Sequence, residues 1–145
     1  MNTVGIVIGG VIPAVFLGLG TVLMRASMGA GATIPMYLAV VRTTIAGIGW
    51  AAVLIDAGGA ATMKGSLFAG LIGLTWSIAI ACIAYGFGVL KLPVSIIAPL
   101  TNSNTLVALL VGAISFSEWK TLNMTTATVG AALICAGATI VSLSK

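Results

Sequence analysis

Five consecutive polar residues, Thr101-Asn102-Ser103-Asn104-Thr105, begin two residues after Pro99 and sit in the middle of an otherwise apolar run. At about 100° per residue five successive positions go all the way round a helix, so they cannot all face one partner. Either some hydroxyls bond back to the preceding turn, or the helix is locally opened. Pro99 pushes toward opening, because it has no N–H for the carbonyl of Ser95 and its ring crowds that turn. A freed carbonyl beside amide side chains is a place where a solute can bind, and interrupted helices of this kind are tolerated in a membrane only where they line a cavity or are buried in protein. The alternative is a proline kink whose Asn side chains bond to adjacent helices.

A second out-of-place group is Arg42, near the midpoint of another apolar run, with no acidic residue inside any apolar run to pair with it. Arginine at the centre of a membrane helix costs ~3 kcal/mol even on the lenient insertion scale. Carbonyls opened at Pro99, the Asn side chains, a water-filled cavity or an anionic group on a solute are the candidates to offset that cost. Otherwise Arg42 cross-links helix ends or snorkels to the interface. On a third run, Thr75, Cys82 and Tyr85 share one helical face and Trp76, Ala79 and Ile83 another. Trp76 and Tyr85 carry amphipathic rings suited to stacking on a ligand; ordinary packing or interface anchoring, as for Tyr37, Trp50 and Trp119, is the plainer reading.

These groups need elements to hold them, and composition says which. Of 145 residues 60% are hydrophobic and 6% charged, with no His. A soluble domain averages roughly a quarter charged residues, so lipid is the solvent this surface tolerates. Apolar stretches of the ~20 residues that cross a bilayer recur five times. They run from about Val4 to Leu23, Ile34 to Ile55, Ser66 to Leu90, Pro93 to Phe116 and Leu122 to Leu143. Arg25 and a turn at Gly29 to Gly31 follow the first; Thr33 is a candidate N-cap for the second, with Pro35 tolerated in its first turn and Asp56 with Gly58-Gly59 closing it. Lys64 precedes the third and Lys91 marks its exit, while Ser117-Glu118-Trp119-Lys120 is a short polar turn. The runs are continuous rather than alternating, which predicts an all-α polytopic bundle of five transmembrane helices and not a barrel. The chain reads as one domain over 1–145, with its first segment retained rather than cleaved.

The same inventory excludes other classes. There is no His, no Cys pair at metal-binding spacing and no phosphate-cradling glycine loop, and the only two carboxylates, Asp56 and Glu118, fall near predicted membrane edges. No enzyme, metal site or cofactor is expected. The six Lys and Arg are spread singly, which leaves nucleic acid without a basic surface. Cys82 and Cys135 read as small packing residues inside spans. Helix association in lipid relies on small residues, and Gly5 with Gly9, and Gly130 to Gly137 with Ala131, Ala132, Cys135 and Ala136, supply such faces for a neighbour of the same chain or a second copy.

The stretch Ala84-Tyr85-Gly86-Phe87-Gly88-Val89-Leu90-Lys91, leading to Pro93-Val94-Ser95, resembles the third-to-fourth helix junction of EamA-type proteins of the drug/metabolite transporter superfamily. The following run to Phe116-Ser117-Glu118 and the helix Thr128-Val129-Gly130-Ala131-Ala132-Leu133-Ile134-Cys135-Ala136-Gly137 are similar to that family's last two helices. Arg42 matches an arginine often seen in its second helix, whereas Thr105 stands where a proline is common. The resemblance implies a solute carrier working by alternating access, half of a ten-helix inverted repeat, multi-pass in a prokaryotic inner (plasma) membrane. The substrate-binding set it suggests, together with the polar residues above, is Arg42, Trp76, Tyr85, Ser95, Thr101, Asn102 and Asn104, with Pro99 as the helix break. The small multidrug members of the superfamily carry a membrane-embedded carboxylate, and none occurs here in the predicted spans. That disfavours proton-driven cation export and suits neutral, zwitterionic or anionic metabolites.

An odd number of spans gives a geometric reason for pairing, since one unit alone lacks an inverted mate. With the N-terminus inside, Lys64 and Lys120 lie on the cytoplasmic side and Arg25, Lys91 and Lys145 outside. Two against three is nearly no bias. A homodimer, antiparallel or parallel, or a second membrane subunit is therefore expected. A non-transporting structural or accessory subunit of a larger complex, or a flippase for a lipid-linked substrate, are the other readings.

Overall fold

The computed structural model describes residues 3–56, 61–121 and 123–143, and among these residues every element is helical. Five helical stretches are long and apolar enough to cross a membrane, the pattern of a multi-pass integral membrane protein: Thr3–Gly29 (α1), Ile34–Ile55 (α2), Met63–Gly88 (α3), Val94–Ser115, and Met124–Leu143. The fourth is divided into Val94–Thr101 (α4) and Asn104–Ser115 (α5), and the last is α6. One 3-10 turn, Glu118–Lys120, joins α5 to α6 where the polar turn was expected.

Several ends differ from the sequence expectation, each for a local reason. Helix α1 does not stop at Leu23 but runs through Arg25 to Gly29, because the Arg25 guanidinium finds a carbonyl partner and need not leave the helix to reach water. A Schellman closure then ends it: Ala32 N–H donates to the Ser27 carbonyl, Gly31 N–H to that of Met28, and Gly31 takes φ 95°, which glycine adopts without strain. Near its start, Val7–Val11 is π-helical, with Ile12 N–H donating to the Val7 carbonyl. Pro13 explains this, since it offers no N–H to Gly9 and its ring forces the preceding turn wider.

Helix α2 has the expected bounds, with Pro35 in the first turn, but Thr33 occupies the N-cap position without a side-chain cap bond. At its C-terminal end Asp56 N–H donates to the Ala52 carbonyl, and Gly58-Gly59 lie outside the described residues. Helix α3 begins earlier than Ser66 because Thr62 Oγ1 accepts from Gly65 N–H at 3.1 Å, drawing Lys64 into the first turn. It ends at Gly88, with Val89 and Leu90 both donating to the Tyr85 carbonyl and Lys91 at φ 57°. Helix α6 starts at Met124, not Leu122, because Asn123 Oδ1 accepts from Thr126 N–H.

The chain forms two compact units. In the unit Val22–Lys91, α2 and α3 pack together. There the C-terminal end of α1 meets that of α3: Met24, Met28, Ala84, Gly86 and Phe87 are buried, and Arg25 Nη1 donates to the Phe87 carbonyl at 3.1 Å. Gly88 lets Met28 approach so closely that an added Cβ would lie 3.3 Å from its sulfur. In the unit Met1–Thr21 with Leu92–Lys145, α4 and α5 pack along α6. Ile97, Ala113, Ala131 and Ala138 are buried there and Cys135 is half-buried. The packed stripe of α6 is thus Ala131, Cys135 and Ala138, whereas Gly130 and Gly137 face open space, as does Gly9 in α1.

Candidate functional site

The polar cluster at the middle of the fourth span does interrupt the helix, at Asn102 and Ser103 between α4 and α5. The interruption tightens rather than unwinds it. Asn102 N–H bonds to the Pro99 carbonyl, Ser103 to Leu100, Thr105 to Asn102 and Leu106 to Ser103, all at 3.1 Å and three residues apart. Two hydroxyls are spent locally: Thr101 Oγ1 donates to the Ala98 carbonyl at 2.9 Å and Thr105 Oγ1 to that of Asn102 at 2.8 Å. Pro99 lies inside α4, three residues before the step. Asn102 and Asn104 are exposed and their amides make no hydrogen bond among the described residues; Ser95 is exposed one turn before Pro99. Of the cluster, then, the Asn102 and Asn104 amides and the Ser103 hydroxyl, which makes no hydrogen bond among the described residues, remain available for a solute or for another helix.

The same back-bonding recurs through the chain. Thr21, Thr44, Thr75, Ser77, Thr139 and Ser142 each donate to a carbonyl four residues earlier. In a segment without water this satisfies the hydroxyl proton inside its own helix and leaves the oxygen as an acceptor only. Thr75 on the proposed α3 face is consumed this way.

In the unit Val22–Lys91 the remaining candidates are Arg42, Trp76 and Tyr85. Arg42 lies eight residues from Ile34 and thirteen from Ile55, somewhat nearer the N-terminal end of α2 than the midpoint. Its Nε and Nη2 are shielded from solvent yet have no hydrogen-bond partner. Trp76 and Tyr85 keep 46% and 49% of their surface exposed, and Cys82 is exposed too, so these faces of α3 are not core. At one end of this unit a shallow, open hollow of about 370 Å³ is lined by Met28, Thr33, Pro35, Gly88 and Lys91, among others. None of the expected site residues lines it.

No protein-family model, curated protein or solved structure matches this chain.

Side-chain chemistry alone therefore points to function. Arg25 is the polar residue that sequence undervalued: expected as a charge beyond the helix end, it holds the Phe87 carbonyl beside the core. Its signal was present in the run Gly86, Phe87, Gly88, whose flanking glycines leave a backbone carbonyl reachable by a long side chain. No group of three or more His, Cys, Asp or Glu side chains able to hold a metal occurs among the described residues.

Proposed function

We propose that this chain is a membrane carrier that moves a small neutral, zwitterionic or anionic metabolite by alternating access, as a dimer of five-helix units of the EamA type in a prokaryotic inner membrane. The observation that carries the reading is Arg42: a guanidinium within an apolar span, with two nitrogens withdrawn from solvent and without a partner. A donor kept from water without an acceptor costs about 1–3 kcal/mol, and a half-buried group that leaves two such donors open gains something when a ligand arrives. In the other unit, and independently of Arg42, the exposed amides of Asn102 and Asn104 at a mid-span step offer donors and acceptors of the kind that orient a polar solute. Trp76 and Tyr85 add stacking surface.

The test is transport in proteoliposomes against pooled metabolites. Arg42→Gln and Asn102→Leu are expected to lower uptake or efflux by at least about tenfold, the effect of one lost charged or amide contact, while both variants still insert. Unchanged transport by both would remove them from the site. The open small-residue positions Gly130 and Gly137 favour a second reading, a subunit that packs against other proteins. Obligate co-purification with a different chain, in place of a self-contained assembly, would support that reading.

A further inference from the structure

We infer that Arg42 is a bidentate site for an oxyanion, a carboxylate or phosphate group, and so that the moved solute carries one; this rests on the carrier reading above. The two unpartnered atoms are Nε and Nη2. Their N–H bonds leave the planar guanidinium in parallel from one edge, the fork that matches the two oxygens of a carboxylate or phosphate. A neutral carbonyl offers the two donors a single oxygen and no compensating charge, whereas an oxyanion offers one oxygen to each and the opposite charge. A chloride ion lacks the paired acceptors.

The chain itself supplies no such anion to Arg42. Its only carboxylates are Asp56 and Glu118. Asp56 caps the far end of the same helix, fourteen residues on, or about 21 Å at the helical rise. Glu118 belongs to the short turn after α5. No ion pair with Arg42 occurs among the described residues. Arg25 provides the internal comparison: it too lies in an apolar helix, but it is satisfied by the Phe87 carbonyl. A backbone acceptor is thus a solution this fold uses for one arginine and withholds from the other. No hydroxyl accepts from Nε or Nη2 either: Thr44, two residues along α2, turns to donate to the Val40 carbonyl.

An oxyanion at Arg42 comes from a water-soluble metabolite or from an anionic lipid headgroup, and the chemistry is shared. The test uses the intact protein in nanodiscs of phosphatidylcholine, titrated with sodium acetate or inorganic phosphate against chloride at equal ionic strength, with thermal midpoint and binding isotherm as readouts. Acetate or phosphate is expected to raise the midpoint where chloride does not. Arg42→Lys, which keeps charge but loses the fork, should weaken binding by at least about tenfold, and Arg42→Gln should abolish it. In a second arm, discs containing phosphatidylglycerol should stabilise the wild type and not Arg42→Gln if the lipid headgroup is the occupant. A response in either arm that depends on Arg42 supports the site and names its source. A wild type that responds to no anion in either arm, or an Arg42→Gln variant that responds as the wild type does, overturns it. Transport of neutral metabolites persisting without anion binding would sink this inference alone, whereas anion binding without any transport would sink the carrier reading, and with it the moved solute, while leaving the oxyanion site at Arg42.

Discussion

Arg25 and Arg42 set the same problem, a guanidinium inside an apolar helix, and receive different answers. Arg25 donates to the Phe87 carbonyl, next to a phenyl ring that is fully buried. A hydrogen bond from a charged donor contributes roughly 1.5–3 kcal/mol, and the partial exposure of Arg25 places it at the low end. Arg42 makes no such bond with Nε or Nη2. Replacing each by Met should therefore act in opposite directions. Arg25→Met is expected to destabilise the folded protein by about 1.5 kcal/mol, while Arg42→Met is neutral or stabilising because it removes two shielded donors that have no acceptor. Unfolding titrations in mild detergent measure both. A loss at Arg42→Met as large as at Arg25→Met would mean that Arg42 already has a protein partner. Residue types alone did not decide the outcome: Arg42 read as a charge inside an apolar run and Arg25 as one beyond the end of a run, but which one meets a carbonyl depends on a residue sixty-two positions away along the chain.

Helix ends behave in the same way at the next scale. The five spans were readable because crossing a bilayer demands length and apolarity, and both are properties of the chain itself. Their ends depend on single side-chain bonds. Thr62 and Asn123 each accept from a first-turn N–H, whereas Thr33, the cap expected for α2, makes no such bond. Thr62→Ala and Asn123→Ala should each cost about 1 kcal/mol, and Thr33→Ala only a few tenths. Equal losses at all three positions in thermal melts would contradict this assignment of caps. The break at Asn102 and Ser103 was visible in outline from Pro99 and the polar run. Its form was not, because a proline signals the loss of one bond and leaves open whether the next turn widens, as before Pro13, or tightens, as after Pro99.

For the whole molecule, moving Arg25 into α1 changes the charge count that orients a membrane protein. Arg25 and Lys64 both lie inside spanning helices, which leaves Lys120 and Lys91 as the cations outside them among the described residues, one on each side of the expected topology. The candidate residues were legible as chemistry: Arg42, Asn102 and Asn104 retain donors not spent within their own helices, while Thr101 gives its proton to the Ala98 carbonyl. What remained unreadable was which hydroxyls bond back, a matter of rotamers and not of sequence. A solute site at Arg42 requires that water and solute reach it. In a Cys82→Ser, Cys135→Ser background, Arg42→Cys should react with a charged, membrane-impermeant thiol reagent supplied to both sides of the membrane. Ile48→Cys, at an exposed apolar position of the same helix, should stay inert, and Ala61→Cys, just before α3, should react. If Arg42→Cys is as inert as Ile48→Cys while Ala61→Cys labels, no aqueous path reaches the guanidinium and a solute site there is contradicted.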